Sequence, residues 1–577
     1  GTHGKGDSGG NDNKMASSIG RKSIPNELQN GGHNLPPRKL TPIQGFFSGK
    51  NVFITGGTGF LGKLLLEKLL WSCPDIGDIY LLVRDKKGKD LQTRVDDLVD
   101  SPAFSRVKRD VPGYLNKIRA MAGDCSNQGL GLSQQDRNIL VSEVNVVFHV
   151  AATVRFSEPL PLALAINVRA TKDMIDLARE MKNLASFVHV STAFSQCYGS
   201  TLEERFYETP VDPMTLMDFV QTANPDIIDT ITPSLIGKWP NTYTFTKALA
   251  EDFLRVHGVG MPLGIFRPSI VVSSLEEPVP RWVDNWYGVS GFITACGTGL
   301  LRANRQGVAN VVPVDMCING LIATAWDVAD RFKDIKTGVV LPTSRDIRFY
   351  NYVLGDKHIT WGEIYDTTVL HAKFTCPPSR ALWYTVLFMQ PGARVHQIAR
   401  FFLHYIPGLL ADTASVCIGR KAEFLKLYAK IDMLEDVTVF FSTQTWNFSN
   451  VNMPKMLARM SAEDRKLYFC DMGQIQWVEF LKTYFLGVRR YLLKDDDSTI
   501  PAARKKYYRK SHKSDRRSQW RRKGGAEGAV RPGCQAPRGD NDNPLVQTKN
   551  AHKISRCKDI SINTYVLLYL ATYIIIF

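Results

Sequence analysis

Asn51-Val52-Phe53-Ile54-Thr55-Gly56-Gly57-Thr58-Gly59-Phe60-Leu61-Gly62 is the stretch on which the fold turns. A short apolar run stops at glycines, and Leu61, Leu65 and Leu69 then recur at helical spacing, with Lys63, Glu67 and Lys68 expected to face outward. Strand, glycine turn and helix in that order form the context a dinucleotide fingerprint requires. Gly56 permits the tight turn, Gly59 lets backbone approach a pyrophosphate, and Gly62 allows the helix to pack on the strand. Phosphates then sit at a helix N-terminus, where free N–H groups and the helix dipole favour negative charge. Thr55, Thr58, Phe60 and Leu61 complete this candidate cofactor loop.

Working outward, residues 79–83, 144–150, 186–190 and 263–266 read as further buried strands with helical stretches between them. That alternation predicts an α/β fold, a doubly wound parallel sheet covered on both faces. After about residue 345 the texture changes: residues 381–389, 398–410 and 422–433 are long, aromatic and helical in period. The expected organisation is a disordered segment at 1–46, a nucleotide-binding catalytic domain at 47–345 and a smaller, mainly helical domain at 365–492. A basic, Gly/Pro-rich disordered tail follows at 496–559, then an apolar segment at 560–577. Residues 1–14, ahead of the first methionine, Met15, are set aside from this reading.

The chain has 577 residues, 44% of them apolar, enough for two folded domains plus tails. Its formal charge of +16 looks like a nucleic-acid signal, but residues 504–523 carry 11 Lys or Arg against one acid, Asp515. The excess belongs to one tail, so nucleic acid is not expected, and an anionic membrane surface ranks above it. The 10 cysteines are scattered without a C-x-x-C pair, which argues against a disulfide framework and a zinc site and for a reducing, cytosol-facing location. No metal is expected, and no signal peptide is legible.

The strand at 79–83 leads into Arg84-Asp85-Lys86-Lys87. Enzymes of this fold that use NAD hold the ribose 2′-hydroxyl with an acid there, whereas Arg84 with Lys86 suits a 2′-phosphate, which favours NADPH. Asp85 and a merely solvated basic turn keep the alternative open. Asp124, after the strand-like residues 118–122, is placed to reach the adenine amino group, and Ala151 and Ala152 leave room for the cofactor beside the fourth strand.

Asn241-Thr242-Tyr243-Thr244-Phe245-Thr246-Lys247 opens a helical stretch, so Tyr243 and Lys247 share a face at i, i+4. A phenol with its usual pKa near ~10 is a poor proton-transfer group at neutral pH, and a neighbouring ammonium is expected to stabilise its phenolate. Tyr243 then gives a proton to a carbonyl oxygen as hydride reaches carbon. The hydroxyl partner is expected at the end of the preceding strand, where Thr192 is the first choice and Ser191 its rival; both could instead satisfy backbone groups. Asn167 is read as ordering a water or bridging secondary elements.

Several long motifs resemble the eukaryotic, particularly insect, alcohol-forming fatty acyl-CoA reductases of the extended short-chain dehydrogenase superfamily. They include Phe53 to Lys63, Ser72-Cys73-Pro74-Asp75-Ile76, Val147-Phe148-His149-Val150-Ala151-Ala152-Thr153-Val154-Arg155-Phe156, Val188 to Ala193, Pro240 to Glu251 and Phe266-Arg267-Pro268-Ser269-Ile270-Val271. In the second domain they include Ile359 to Glu363, Phe440, Trp446-Asn447-Phe448 and Ile475-Gln476-Trp477. The resemblance implies reduction of a long-chain acyl-CoA by two NADPH to a primary alcohol and free CoA, through a hemithioacetal and an aldehyde. It also implies that Pro268 and Ile270 line the cofactor site, that residues 195–240 together with the aromatic second domain shape the acyl tunnel, and that the enzyme is membrane-associated and cytosol-facing, at the endoplasmic reticulum, with peroxisome and lipid droplet as alternatives. The basic run after residue 504 departs from the family's apolar membrane helix. A marginal tail anchor at 560–577 and a tail from another splice form stand as alternatives, since 18 residues at about 1.5 Å each barely match a core of about 30 Å. Rival readings are a short-chain dehydrogenase acting on a sterol or sugar nucleotide, and a catalytically idle relative that binds lipid or NADPH. The oligomeric state is not legible.

Overall fold

The computed structural model describes residues 39–85, 88–295, 300–337, 342–355, 357–379, 388–389 and 391–509. Lys86 and the apolar segment at 560–577 lie outside the described residues. Lys39 and Leu40 are in no regular structure, and the described residues from Thr41 to Arg509 form one compact unit.

Seven parallel strands make the central sheet: β1 (Asn51–Thr55), β2 (Ile79–Val83), β3 (Ile118–Ala122), β4 (Val144–His149), β5 (Ser186–Val190), β6 (Leu263–Pro268) and β7 (Arg348–Tyr352). Their spatial order is β7-β6-β5-β4-β1-β2-β3. Strand order reverses between β1 and β4, the topological switch point at which open α/β sheets bind ligands. The strands are apolar throughout because both faces are covered. Val52 and Ile54 of β1 join one core cluster while Phe53 joins the opposite one, and Leu81 and Leu82 of β2 divide the same way.

Helix α1 (Phe60–Ser72) leaves the glycine turn, and α2 (Leu91–Val99) follows β2 with Asp90 as its N-cap, accepting from Thr93 N at 2.7 Å. Helix α3 (Thr242–His257) carries Tyr243 and Lys247, its N-cap Asn241 accepting from Thr244 N at 2.9 Å. Residues 195–240 contribute two helices, Pro213–Thr222 and Pro225–Ile236, whose Leu216, Met217 and Ile228 pack with Trp239 against Phe245 and Leu249 of α3. This insertion buttresses the helix that holds Tyr243.

The C-terminal region is helical, and its Met456, Tyr468, Phe480 and Tyr484 belong to the same buried cluster as Leu65 of α1 and Ile318 of the long helix Val314–Thr337. Burial on both sides corrects the outward orientation expected of Glu67 and Lys68. Glu67 is 0% and Lys68 3% exposed. Arg106 bonds Glu67 at 2.7 Å, and Lys68 bonds Glu277 at 2.6 Å and the Leu467 carbonyl at 2.7 Å, so the buried charges are paired. Helical periodicity assumes one wet face, and α1 has none.

Three local readings also change. Within 381–389, read as helical, Phe388–Met389 is a strand pairing with Leu300–Leu301, too short to leave a period in sequence, and 381–387 lie outside the described residues. Ahead of residue 47, Pro42–Phe47 is a helix with a capping box between Thr41 and Gln44, buried through Ile43 and Phe47. Beyond 496, residues 500–509 are helical, with Ala503 and Tyr507 buried and the acidic Asp495–Asp497 run preceding the helix. No helix among the described residues is long and apolar enough to cross a membrane.

Candidate active site

The candidate residues of both kinds gather along the C-terminal edge of the sheet because each follows a different parallel strand. Gly56 has φ +74°, and a Cβ there would lie 2.8 Å from Ala151 N; one on Gly62 would lie 2.2 Å from the Gly56 carbonyl oxygen. Glycine is therefore required twice, once to bring the turn against the end of β4 and once to seat α1 on the turn. Gly59 is the N-cap of α1 and offers no side chain, so the first amides of the helix stay open to an anion. The Thr55 hydroxyl accepts from Ala151 N at 3.2 Å and meets His149 Nδ1 at 2.8 Å, stitching β1 to β4. Burial and the Lys247 charge hold His149 down to about 3, so its imidazole is neutral. A diphosphate bridging two nucleosides fits this cradle.

Arg84 is exposed at the end of β2, and half-buried Asp124 follows β3, its carboxylate accepting from Ser126 N at 2.8 Å. Ala151 and Ala152 are half-buried after β4. Pro268 ends β6, its carbonyl accepting from Ala193 N at 2.9 Å, and Ile270 begins a short strand paired with Val311. Arg94 on α2 escaped the sequence reading. Its guanidinium bonds the Arg84 carbonyl and reaches the Thr58 hydroxyl at 3.3 Å, which sets a second cation between the glycine turn and the end of β2.

The two hydroxyls at the end of β5 point to different partners. Thr192 stands beside the Tyr243 hydroxyl, near enough to lower its pKa, and its own hydroxyl accepts from Phe194 N at 3.2 Å. Ser191 donates to Glu251, which also receives Ser195 at 3.2 Å and Arg267 at 2.6 and 2.9 Å in an ion pair at most 1% exposed. Lys247 Nζ donates to the Val190 carbonyl at 2.8 Å. Burial lowers its pKa from 10.5 to about 8, while burial raises Tyr243 to about 12 against the Thr192 hydroxyl. Desolvation thus favours the neutral phenol, the form able to give a proton to a carbonyl oxygen, and the Lys247 ammonium is turned to Val190. Asn167 bridges secondary elements, accepting from Thr153 N at 3.0 Å and donating to Thr246 at 2.9 Å.

Aromatic side chains complete the surroundings. Phe156 stacks on Tyr243 at 5.7 Å between ring centroids and meets Phe441 at 5.3 Å. Phe194, two residues past Thr192, lies 5.3 Å from both Phe441 and Trp446. Trp446 donates to the Cys197 carbonyl at 2.8 Å. An apolar wall built from both halves of the chain thus flanks a neutral phenol beside a dinucleotide cradle, which suits delivery of hydride and a proton to a carbonyl on a greasy substrate.

Two family models, both described as male sterility protein, match the chain, the NAD-binding one at residues 54–321 and a second at 403–495. The Drosophila melanogaster protein named fatty acyl-CoA reductase wat is 39% identical over 475 residues, covering 81% of this chain and 89% of its own length. Fatty acyl-CoA reductase 1 of Rattus norvegicus is 37% identical over 470 residues, with the same coverage of 81% and 89%. Among solved structures, the reductase domain of a Mycobacterium tuberculosis non-ribosomal peptide synthetase has a TM-score of 0.50 at 17% identity, covering 80% of this chain and 94% of that one, a likeness of fold.

Proposed function

The chain belongs to the fatty acyl-CoA reductase family, a family of oxidoreductases, and from that premise we propose that it reduces a long-chain acyl-CoA to a primary alcohol and free CoA with NADPH. The observation that carries the proposal is Tyr243 beside Thr192 and stacked on Phe156, next to the glycine cradle. Gly56, Thr58, Gly59, Phe60, Leu61 and Gly62 would hold the pyrophosphate, with Thr55 bracing the turn. Arg84, Lys86 and Arg94 would hold the 2′-phosphate, and Asp124 the adenine. Ala151, Ala152, Lys247, Pro268 and Ile270 would border the nicotinamide. NADPH, when bound, supplies the hydride for each of two reductions.

Thr192 and Tyr243 orient the thioester carbonyl and stabilise its oxygen as negative charge grows there. Tyr243 gives up its hydroxyl proton to that oxygen, and Lys247 steadies the charge left on the phenol. Collapse of the resulting hemithioacetal returns its hydroxyl proton to the Tyr243 phenolate, breaks the C–S bond and releases CoA as thiolate, leaving Tyr243 able to donate again. The same two hydroxyls then hold the aldehyde oxygen, and Tyr243 protonates it a second time to give the alcohol. Phe156, Phe194 and Phe441 exclude water and pack the acyl chain. Ser191, bound to Glu251, fixes the end of β5 and stays out of the chemistry.

Residues 47–345 carry the catalysis in this proposal, and the helical part at 365–492 closes the acyl side. The enzyme works at a cytosol-facing membrane, with the endoplasmic reticulum as the expected site. The test is to incubate purified protein with NADPH and acyl-CoAs of graded length and analyse the products. Alcohol is expected, falling by about 10²–10⁴-fold in Tyr243→Phe. Unchanged turnover in that variant, or no reduced product from any acyl-CoA, would overturn the proposal.

A further inference from the structure

The helical run Ala393–Arg400, Phe401–Tyr405 and Ile406–Cys417 is folded inside out. Its buried side is polar: His396 bonds Glu435 at 2.9 Å, Arg400 pairs with Asp432 at 3.1 Å, and Asp412 accepts from the backbone of Glu423, Phe424 and Leu425. Its outward side is apolar. Ile398, Phe402, Tyr405, Leu409 and Val416 recur at helical spacing and are all exposed, Ile398 at 61% and Val416 at 60%. A helix that spends its polar side chains inward and turns Phe, Ile and Leu to the outside is suited to an apolar medium. Between residues 391 and 426 the exposed charges are Arg394, Arg420, Lys421 and Lys426 against the single carboxylate Glu423.

We propose that this outward face docks the enzyme on an anionic phospholipid surface, lying in the headgroup region with the cations on lipid phosphates. No helix among the described residues is long and apolar enough to cross a membrane. The next helix, Phe424–Thr443, gives the position a purpose: Asp412 holds its start, and Phe441 near its end meets Phe156 beside Tyr243. At about 1.5 Å per residue it runs about 30 Å from the lipid face to the reacting centre. Resting on the acyl-CoA reading, the proposal places the bilayer as the source of substrate or the sink for the alcohol.

The test is sedimentation of the full chain with phosphatidylcholine vesicles, with and without phosphatidylserine. Wild type is expected to partition onto the serine-containing vesicles. The triple variant Ile398→Asp, Tyr405→Asp, Leu409→Asp should lose at least about tenfold in partitioning, with thermal stability, molar mass and turnover of a water-soluble short-chain acyl-CoA unchanged. Arg420→Glu with Lys421→Glu should remove about tenfold or more of the serine dependence, even if the triple variant fails to fold. Wild-type partitioning in both variants, or none by the wild type, would overturn the proposal. So would a fall in molar mass with vesicle binding intact, which would make the face a contact between two copies. Partitioning can be read even if no acyl-CoA is reduced, so failure of the enzymatic reading is distinguishable.

Discussion

Replacing Arg94 with alanine should sharply lower the preference for NADPH over NADH. The guanidinium spans from the Arg84 carbonyl to the Thr58 hydroxyl, so it borders the turn that would carry the pyrophosphate and the strand end that would carry the adenosine ribose. A hydrogen bond to a charged group contributes about 1.5–3 kcal/mol. Losing one such contact to a 2′-phosphate corresponds to about 10–150-fold at about 1.4 kcal/mol per decade. NADH lacks the phosphate, so its KM should move less than about threefold. Initial rates with each cofactor at saturating acyl-CoA give the ratio directly, and Arg94→Lys, which keeps charge but loses the planar fork, should fall between. Equal changes in both KM values, or no change in either, would refute the assignment and leave Arg94 as a brace for the turn.

Other consequences can be checked on the same protein. Lys247 titrates at about 8 in the fold, so its ammonium is complete below that pH and lost above it; kcat/KM should fall on the alkaline side with an apparent pKa near 8. Tyr243, pushed to about 12, should add no limb below pH 10. Glu251→Gln strands the Arg267 charge in a site 1% exposed, and should cost about 3–5 kcal/mol of stability by chemical denaturation; Ser191→Ala should leave kcat within about threefold. Gly62→Ala drives a methyl to 2.2 Å from the Gly56 carbonyl oxygen, and should weaken NADPH binding at least about tenfold by fluorescence titration, with about 1–3 kcal/mol of strain.

What could be read without coordinates was local. The Gly56 to Gly62 turn announces itself because strand, glycines and helix are contiguous, and Tyr243 and Lys247 because i, i+4 spacing sets a helix face. The choice between Thr192 and Ser191 was not legible. It depends on Glu251, which reaches Ser191 from α3 and is itself held by Arg267 of β6. Arg94 hid among ordinary surface charges until α2 folded back over the turn. Phe441 joins Phe156 only through tertiary packing, and Lys68 looked solvent-facing until Glu277 met it. Spacing places Tyr243 and Lys247 on one helix face but does not reveal how far burial shifts each of them, because burial sets the balance between charged and neutral forms.

The most direct measurement is stoichiometry in a single incubation: NADPH consumed, CoA released and alcohol formed from a long-chain acyl-CoA. Two NADPH per CoA and per alcohol, with both reductions lost together in Tyr243→Phe, is the expected result. One NADPH per CoA with free aldehyde as the end product, or CoA release without NADPH consumption, would contradict a single site that performs both reductions.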